Sequence, residues 1–211
     1  MEAAIEHMLR QSKGGLSYFG ERKYDRVEAK MDHLTCFVGG MLALGSLNHS
    51  LPEQQKRHMQ IAANVTSTCH ESYTRPDTKV GPESFRFTNE VEARAVRPGE
   101  RYYMLRPEVI ESYFYMWRLT KDQRYRDWAW EAAMGIQNNC RTEHGFSGIR
   151  NVYDLSSPKD DVQQSFLLAE TFKYLYLIFS DESLMPLDQW VFNTEAHPLP
   201  VKGRNPAFTT P

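Results

Sequence analysis

The chain has 211 residues, of which 41% are hydrophobic and 25% are charged, an ordinary composition for a soluble globular domain with a sizeable core. The formal net charge of -2 at pH 7 gives no reason to expect nucleic acid or an anionic membrane as a partner. No apolar run reaches the roughly 20 residues that a membrane span needs. The first residues, Met1 to Glu6, lack the basic flank and apolar core of a signal peptide. We therefore expect either a cytosolic chain or a piece of a longer protein.

The N-terminal half of the chain is predicted to be mainly helical. A short amphipathic helix is expected over 2–11, and a short hairpin over 16–26, where aromatic residues stand among turn formers. Apolar residues recur at helical spacing over 27–44 and predict a longer helix, in which two adjacent glycines indicate close packing or a kink. A further helix is expected over 52–73, opened by a Leu-Pro-Glu sequence.

The next part of the chain is predicted to contain an irregular segment and then a pair of helices. Residues 76–105 are expected to be irregular, with short strands over 85–87 and 102–105. Helices are expected over 107–119, where a proline takes the favoured first position, and over 124–138. The short turn between them predicts a helical hairpin.

The last part of the chain is predicted to hold one more helix. A loop over 142–160 is followed by a strongly apolar helix over 161–179, and residues 186–200 are expected to be irregular. The whole pattern predicts an all-α domain over 1–200, built of helical hairpins with long loops and a few short strands, followed by a polar tail over 201–211.

Two acidic residues stand at the start of the helix predicted from residue 107. Glu108 and Glu111 are three residues apart and so lie on one helical face, where the helix dipole favours a negative charge. Arg106 precedes the helix and could orient either carboxylate. The pattern is compatible with two acids and a base around a small-molecule site. Acidic residues are also common in ordinary first turns, and on this stretch alone that simpler interpretation is favoured.

A carboxylate interrupts the last apolar helix. Burial of Glu170 is costly unless the group is paired or used. Lys173, one turn later, could pair with it at little energetic gain. Phe166, four residues earlier, shares its helical face, so that ring and carboxylate could form a platform for a sugar. A core position beside a satisfied ion pair explains the pattern equally well.

The stretch 192–198 is too irregular for a helix and is rich in oxygen atoms. Thr194 offers a hydroxyl and a backbone carbonyl together, Glu195 could hold waters, and calcium takes six to eight such oxygen ligands. A capped turn is the simpler interpretation of this stretch. Elsewhere, His33 lies beside an aspartate in an apolar segment and Glu83 lies on a Gly-Pro loop, and each of these signals is weak by itself.

Other motifs exclude some functions and leave the compartment open. The sequence contains no G-x-G-x-x-G, P-loop, H-E-x-x-H or paired C-x-x-C motif, so nucleotide and zinc sites lack support. Its three cysteines, Cys36, Cys69 and Cys140, do not by their number place the chain in a compartment. N-glycosylation sequons begin at Asn48 and Asn64 and favour a lumenal location, although such triplets often arise by chance.

Several of these segments, taken together and in this order, resemble one enzyme family. The runs that carry the resemblance are KMDHLTCF (30–37), LRPEVIES (105–112), GFSG (145–148), QSFLLAET (164–171) and VFNTEAHP (191–198). They are similar to glycoside hydrolase family 47, the class I α-1,2-mannosidases, and the match spans roughly residues 1–200. The run DDVQQSF (160–166) is most similar to the Golgi subgroup.

The resemblance implies a fold and a set of site residues. The implied fold is an (α/α)7 barrel, of which this chain would supply about the second half. A calcium ion would be bound by the hydroxyl and carbonyl of Thr194, with waters and two mannose hydroxyls as its other ligands. Glu108 would be the general base that activates the attacking water, and Cys36 and Cys69 would form a disulfide, leaving Cys140 unpaired. The residues implied to line or neighbour the mannose and water sites are Arg106, Glu111, Phe166, Glu170, Glu195, His33 and Glu83.

The function implied by the resemblance is calcium-dependent, inverting hydrolysis of terminal α-1,2-linked mannose from high-mannose N-glycans on glycoproteins. The implied compartment is the lumen of the Golgi apparatus or endoplasmic reticulum, and any membrane attachment would come from an upstream anchor absent from this chain. The family's general acid is also expected upstream, because nothing over 1–30 resembles it. We therefore expect these 211 residues alone to hydrolyse weakly or not at all.

Two alternatives stay open at this point. The first is a catalytically inactive protein of the same fold that binds mannose glycans in the presence of calcium. The second is a cytosolic helical-hairpin interaction protein without a role in sugar chemistry. Reduced Cys36 and Cys69, together with no effect of calcium on melting, would favour the second alternative.

Overall fold

Helices hold more residues than strands in this computed structural model, which describes residues 1–206. Within that range the α-helices are α1 (Glu2–Met8), α2 (Val38–Ser46), α3 (Pro52–Thr74), α4 (Glu108–Thr120), α5 (Arg124–Asn139) and α6 (Phe172–Phe179). Short 3-10 segments lie at Leu34–Phe37 and Pro98–Glu100, and a π-helical segment, Leu167–Thr171, leads into α6.

The strands are short, and all of their pairings are antiparallel. They are β1 (Leu9–Gln11), β2 (Ser17–Phe19), β3 (Glu21–Lys23), β4 (Arg26–Glu28), β5 (Lys30–Asp32), β6 (Ser84–Phe87), β7 (Glu92–Arg94), β8 (Trp190–Phe192) and β9 (Pro198–Pro200). Three pairs form hairpins, namely β1–β2, β3–β4 and β8–β9, and one three-stranded sheet has the order β5–β6–β7. The β5–β6 pairing sets Asp32 opposite Ser84. As a result, the backbone N–H of His33 donates to the carbonyl of Glu83 at 2.9 Å.

The core is centred on α4, which is enclosed by α2, α3, α5 and α6. Its side chains are buried around nearly the whole helix, which is typical of an inner helix rather than an amphipathic surface helix. The helix ends where Lys121 adopts a left-handed conformation with φ of 60°. At the other end, Glu108 and Glu111 occupy the first turn, so that buried carboxylates begin an otherwise apolar helix.

Helices α2 and α3 approach closely at a glycine. A Cβ atom placed on Gly39 would lie 2.2 Å from Oγ1 of Thr66 and 3.4 Å from Oγ of Ser112. The hydroxyl of Ser112 donates to the carbonyl of Cys36 at 2.7 Å and accepts from the N–H of Gly40 at 3.0 Å. The close packing predicted from the adjacent glycines is therefore confirmed.

Most of the predicted helices are confirmed, and the exceptions have long-range causes. The helices expected over 52–73, 107–119 and 124–138 are present with bounds that differ by one residue at each end or less. The helix predicted over 27–44 is wrong at its start, because residues 30–32 pair as β5 with a strand more than 50 residues later and the α-helix begins at Val38. Local periodicity cannot reveal such a pairing.

Other segments also differ from the prediction. Residues 186–200, expected to be irregular, contain the β8–β9 hairpin, and the single hairpin expected over 16–26 is replaced by β1–β2 and β3–β4. The helix expected over 161–179 begins only at Leu167, after an irregular stretch. The strand expected over 102–105 is absent: Tyr103 makes a single bridge to Ile149, and Leu105 has a left-handed φ of 68°. The helix expected over 2–11 ends at Met8, where the chain turns into β1.

The end of the chain folds back on the β8–β9 hairpin. The N–H of Val201 donates to the carbonyl of Gln189 at 2.8 Å, and Asn205 is buried. The remainder of the tail predicted over 201–211, residues 207–211, lies outside the described residues. None of the helices within 1–206 has the length and apolar character that crossing a bilayer requires.

Candidate active site

Glu108 is held at the start of α4 by a histidine from a distant segment. Nδ1 of His33 lies 2.7 Å from Oε2 of Glu108, and Nε2 of the same ring lies 2.6 Å from the hydroxyl of Tyr73 in α3. All three side chains are buried. An ionised carboxylate can only accept, so Nδ1 of His33 donates to Glu108, and in the neutral ring Nε2 accepts from Tyr73. The three groups form a continuous hydrogen-bonded chain from α3 to α4.

This chain keeps Glu108 ionised. Burial alone would raise the pKa of Glu108, but the hydrogen bond from His33, the backbone N–H of Glu108 and the nearby Arg106 hold that pKa below its ordinary value. The carboxylate is therefore a base across the neutral range. Its other oxygen, Oε1, lies 3.6 Å from Nη1 of Arg106.

Arg106 is fixed by a two-point ion pair with Glu83. Its Nε and Nη2 atoms donate to the two oxygens of Glu83 at 2.8 and 2.7 Å. The hydroxyl of Tyr103 donates to the carbonyl of Arg106 at 3.1 Å, which holds the backbone there. Residues His33, Glu83, Arg106 and Glu108, which we call the α4 cluster, therefore satisfy one another's charges.

Glu111, one turn further along α4, is in the opposite protonation state. The hydroxyl of Tyr174 donates to Oε1 of Glu111 at 2.7 Å. Burial raises the pKa of Glu111 to about 8, and the charges of Glu170 and Glu108 add to that shift although the Tyr174 hydrogen bond opposes it. At neutral pH this carboxyl group is mostly protonated, beside the ionised Glu108.

Glu170 lies in the π-helical segment and has no partner. Its side chain is only 8% exposed, and it makes no hydrogen bond or ion pair with any residue in the described range 1–206. Burial, together with the charges of Glu108 and Glu195, raises its pKa to about 7. Lys173 does not pair with it but donates to the carbonyl of Ala196 at 2.7 Å. A π-helical insertion often marks a functional site, because it turns a side chain out of the regular helical phase.

The turn between β8 and β9, residues 193–197, which we call the hairpin apex, exposes two residues that carry side-chain oxygen atoms. The side-chain oxygen of Asn193 accepts from the N–H groups of Glu195 at 3.1 Å and His197 at 2.9 Å, which shapes the turn. Thr194 and Glu195 are exposed. The hydroxyl of Thr194 makes no hydrogen bond within the described part of the chain.

The hairpin apex is anchored beside the helices that carry the carboxylates. Phe192 packs against Phe114 of α4 and Tyr174 of α6, with ring centroids 5.9 Å apart in both pairs. The bond from Lys173 to the carbonyl of Ala196 fixes the far side of the turn. The charge of Glu195 contributes to the raised pKa of Glu170, so the hairpin apex lies within electrostatic reach of that carboxyl group.

The donor set at this site fits a hard cation. No group of three or more His, Cys, Asp or Glu side chains over residues 1–206 is arranged to hold a metal ion. The available donors are instead the unpartnered hydroxyl and the carbonyl of Thr194, with the mutually repelling carboxylates of Glu170 and Glu195 nearby. An all-oxygen set with excess negative charge suits calcium, whose other ligands would have to come from outside the protein.

The remaining predicted residues, Phe166 and the cysteines, lie outside the hydrogen-bond network of the carboxyl groups. Phe166 is half-buried, directly before the π-helical segment, and packs at the edge of the core. Cys36 and Cys69 form the expected disulfide. Cys140 is a buried free thiol whose pKa is raised by burial to about 12, which makes it unreactive.

Two site residues were missed by reasoning from the sequence. Tyr73 and Tyr174 were treated as ordinary apolar positions of helices, yet their hydroxyl groups contact His33 and Glu111. The only local signal for Tyr174 is its position four residues after Glu170, on the same helical face. No local signal identifies Tyr73, because its partner His33 lies 40 residues earlier in the chain.

Comparison with known proteins places this site in a family. The family model for glycosyl hydrolase family 47 matches residues 1–201. The mannosyl-oligosaccharide alpha-1,2-mannosidase IA of Drosophila melanogaster is 58% identical over 205 residues, covering 97% of this chain and 31% of that protein. The mannosyl-oligosaccharide 1,2-alpha-mannosidase IB of Homo sapiens is 56% identical over 201 residues, covering 95% of this chain and 31% of that protein.

A solved structure agrees with the sequence comparisons. The alpha-1,2-mannosidase from Trichoderma reesei, an (α/α)7 barrel, superposes with a TM-score of 0.84 at 28% identity over 95% of this chain and 45% of that chain. The expected fold, part of an (α/α)7 barrel with a few short strands, is thereby confirmed. The chain spans about a third of the length of the curated relatives that it matches. From the family match over residues 1–201 and these similarities, we conclude that the chain belongs to glycosyl hydrolase family 47.

Proposed function

We propose that this chain carries the water-activating side of a calcium-dependent α-1,2-mannosidase, which removes terminal mannose from high-mannose N-glycans with inversion. The names of the relatives supply the reaction and the substrate class. The observation that carries the proposal is the pair Glu108 and Glu111, neighbouring carboxyl groups whose environments push their pKa values in opposite directions. Such a separation is typical of acid–base chemistry in glycosidases.

The proposed location is the lumen of the secretory pathway, in the Golgi apparatus or endoplasmic reticulum. The disulfide between Cys36 and Cys69 supports this placement, because disulfides persist in oxidising compartments and are rare in the cytosol. The glycoprotein substrates implied by the relatives' names would be present in the same compartment. Any membrane anchor would lie outside these 211 residues.

The first step is activation of water by Glu108. The hydrogen bond from His33 holds one carboxylate oxygen, and Arg106 faces the other at 3.6 Å, so the carboxylate has a fixed direction. It accepts a proton from a water molecule as the water oxygen attacks the anomeric carbon of mannose. Attack from the face opposite the leaving oxygen inverts the configuration at that carbon.

Neighbouring groups bind and orient the sugar. Glu111 is mostly protonated at neutral pH and can donate a hydrogen bond to a sugar hydroxyl without adding charge beside the ionised Glu108, and the unpartnered carboxyl group of Glu170 can bond a second hydroxyl. The ring of Phe166 offers an apolar surface for the sugar face. Calcium, when bound at Thr194, would orient mannose hydroxyls and help to distort the ring.

The acid that protonates the leaving oxygen is, in this proposal, supplied from outside these residues. An inverting glycosidase needs a second carboxyl group on the other side of the scissile bond, separated from the base by about 6.5–9.5 Å. Nothing over residues 1–30 resembles the family's acid, and the chain spans 31% of the length of its relatives. The 211 residues alone are therefore expected to bind better than they cleave.

An assay with α-1,2-mannobiose and calcium tests the proposal. The full-length protein that carries this chain should release mannose that first appears as the β-anomer in proton NMR spectra, and a protein of only these 211 residues should show little or no turnover. Release of the α-anomer would contradict inversion, and full turnover by the short chain would contradict the missing acid. Calcium-dependent binding of the disaccharide by the full-length protein without turnover would replace the proposal by the alternative of a catalytically inactive glycan-binding protein.

A further inference from the structure

The sequon at Asn48 lies in an exposed turn that the proposed mannosidase chemistry does not use. Helix α2 ends at Ser46 and α3 begins at Pro52, so that the triplet 48–50 lies between two helices. Asn48 and Ser50 are both exposed. Neither side chain makes a hydrogen bond within residues 1–206, because the contact of this turn with α2 runs through the backbone N–H of Asn48 to the carbonyl of Gly45.

The second sequon lies within a helix, although Asn64 itself is exposed as Asn48 is. Asn64 lies in the middle of the 23-residue helix α3, where its side-chain oxygen accepts from Gln60 at 2.9 Å. Thr66, whose hydroxyl completes this sequon, is fully buried and packs against Gly39. To present the Asn64 amide and the Thr66 hydroxyl together, α3 would have to unwind over at least a turn, whereas the Asn48 sequon lies outside the regular helices and its side chains are already exposed.

We propose that Asn48 is an N-glycosylation site and that it is used in preference to Asn64. The proposal rests on the lumenal location given under the proposed function. The donor is an oligosaccharide joined through a pyrophosphate to a lipid. A bond forms between Nδ2 of Asn48 and C1 of the first sugar as the bond from C1 to the pyrophosphate oxygen breaks. The Nδ2 proton passes to a base of the transferase, and the lipid pyrophosphate leaves.

The position of the sequon gives the modification a physical role. Leu47 and Leu51 flank the turn and are 55% and 57% exposed. A bulky, hydrophilic glycan attached between them shields apolar side chains that otherwise face water. The glycan stands in the connection between α2 and α3, and Asn48 contributes no contact to the α4 cluster. We therefore expect it to affect solubility rather than catalysis.

Site-specific isotope labelling tests the proposal. The full-length protein is expressed in cultured eukaryotic cells behind a cleavable signal peptide that replaces any upstream anchor, so that recovery from the medium itself demonstrates passage through the lumen. Peptide N-glycosidase treatment in H2(18)O converts each glycosylated asparagine to labelled aspartate, which peptide mass spectrometry then locates. Ser50→Ala removes the sequon without changing Asn48, Ser50→Thr restores a hydroxyl at the same position, and Asn64→Gln serves as the matched comparison.

We expect the label at residue 48 in the wild-type protein, in Ser50→Thr and in Asn64→Gln, and its loss in Ser50→Ala. The occupied fraction at residue 48 should exceed that at residue 64. Secreted wild-type protein with no label at residue 48, or with more label at residue 64 than at residue 48, would overturn the proposal. This outcome is separate from the mannosidase assay, since the experiment supplies lumenal entry and does not depend on turnover.

Discussion

At the start of α4 each charged side chain has a partner, whereas at the hairpin apex the side chains of Thr194 and Glu195 are exposed. Arg106 and Glu83 are joined by two hydrogen bonds, and His33 and Glu108 by one. At the hairpin apex, the Thr194 hydroxyl has no hydrogen bond within the described range. The nearest buried carboxylate, Glu170, is also unpartnered there, with a pKa raised to about 7.

The difference reflects what each region must do. A base that accepts a proton needs a fixed charge and direction before the substrate arrives, and the α4 cluster supplies both through protein groups alone. A site for a hard cation needs oxygen atoms that are not already satisfied, and the hairpin apex leaves them free. The site is thus prepared at the α4 cluster and incomplete at the hairpin apex.

Removing the charge of Glu108 should have the largest effect. Glu108→Gln keeps the shape of the side chain but cannot accept a proton from water, so we expect kcat of the full-length protein on α-1,2-mannobiose to fall by about 10²–10⁴-fold. The matched control is Glu143→Gln, at a side chain that is 88% exposed and lies outside the site. A kcat within about threefold of wild type would remove Glu108 from its proposed role.

The disulfide stabilises the two segments that carry His33 and its hydrogen-bond partner Tyr73. It joins the 3-10 segment that follows His33 to the part of α3 that carries Tyr73, and therefore restrains the two ends of their hydrogen bond. Since it closes a loop of sequence separation 33, replacing Cys36 and Cys69 by alanine should lower the free energy of unfolding by about 3–4 kcal/mol.

Denaturant unfolding of the full-length protein checks this value, with Cys140→Ala as the comparison. Cys140 is a buried thiol without a cross-link, so its truncation should cost only about 1 kcal/mol. Equal midpoints for the double variant and the wild-type protein would contradict a stabilising disulfide.

The protonated state of Glu111 should appear in the pH dependence of stability. The pKa of Glu111 is about 8 in the folded chain and near 4.5 in the unfolded chain. Between these values the folded state binds more protons, so the free energy of unfolding falls as pH rises, with a limiting slope of about 1 kcal/mol per pH unit.

Glu111→Gln should flatten this dependence between about pH 5 and 8, because the amide does not titrate. Unfolding midpoints measured at several pH values compare the variant with wild type, and the exposed Glu143→Gln serves again as control. Identical slopes in Glu111→Gln and the wild-type protein would show that Glu111 titrates normally.

The smallest expected effect concerns Tyr73. Tyr73→Phe removes the hydroxyl that bonds Nε2 of His33 and so weakens the orientation of the ring that holds Glu108. The loss of one hydrogen bond, about 1 kcal/mol, should lower kcat about fivefold with KM nearly unchanged. Tyr176→Phe, at an exposed position of α6, is the matched control.

Nitrogen NMR of the His33 ring provides a second measurement for Tyr73→Phe. In the wild-type protein the proton should reside on Nδ1, which donates to Glu108, and the variant should show a mixture of protonation states. An unchanged kcat together with an unchanged His33 spectrum would mean that the Tyr73 hydroxyl is only a structural partner.

The sequence could locate the acidic pair but not assign its roles. Glu108 and Glu111 both lie in the first turn of α4, and nothing in the local sequence distinguishes them. Their protonation states differ because His33, 75 residues earlier, bonds one and Tyr174, 63 residues later, bonds the other. These contacts arise from tertiary packing, which a pattern of local spacing does not contain.

The errors in the predicted fold have the same origin. The segment around His33 shows a helical pattern, yet β5 forms because its backbone pairs with β6. The helices over 52–73, 107–119 and 124–138 were predictable because apolar periodicity and proline positions are local signals. The set of site residues came from the resemblance to the family, since most of them gave weak signals one at a time.

The most direct test of a shared site changes one residue of the α4 cluster and one residue of the hairpin apex in the same protein. Glu108→Gln leaves the sugar intact, so titration calorimetry of this full-length variant measures binding of α-1,2-mannobiose alone. We predict binding in the presence of calcium, and its loss both on calcium removal and in the double variant Glu108→Gln, Thr194→Val. Equal affinity in the double variant, with or without calcium, would show that the hairpin apex and the α4 cluster do not act on the same sugar.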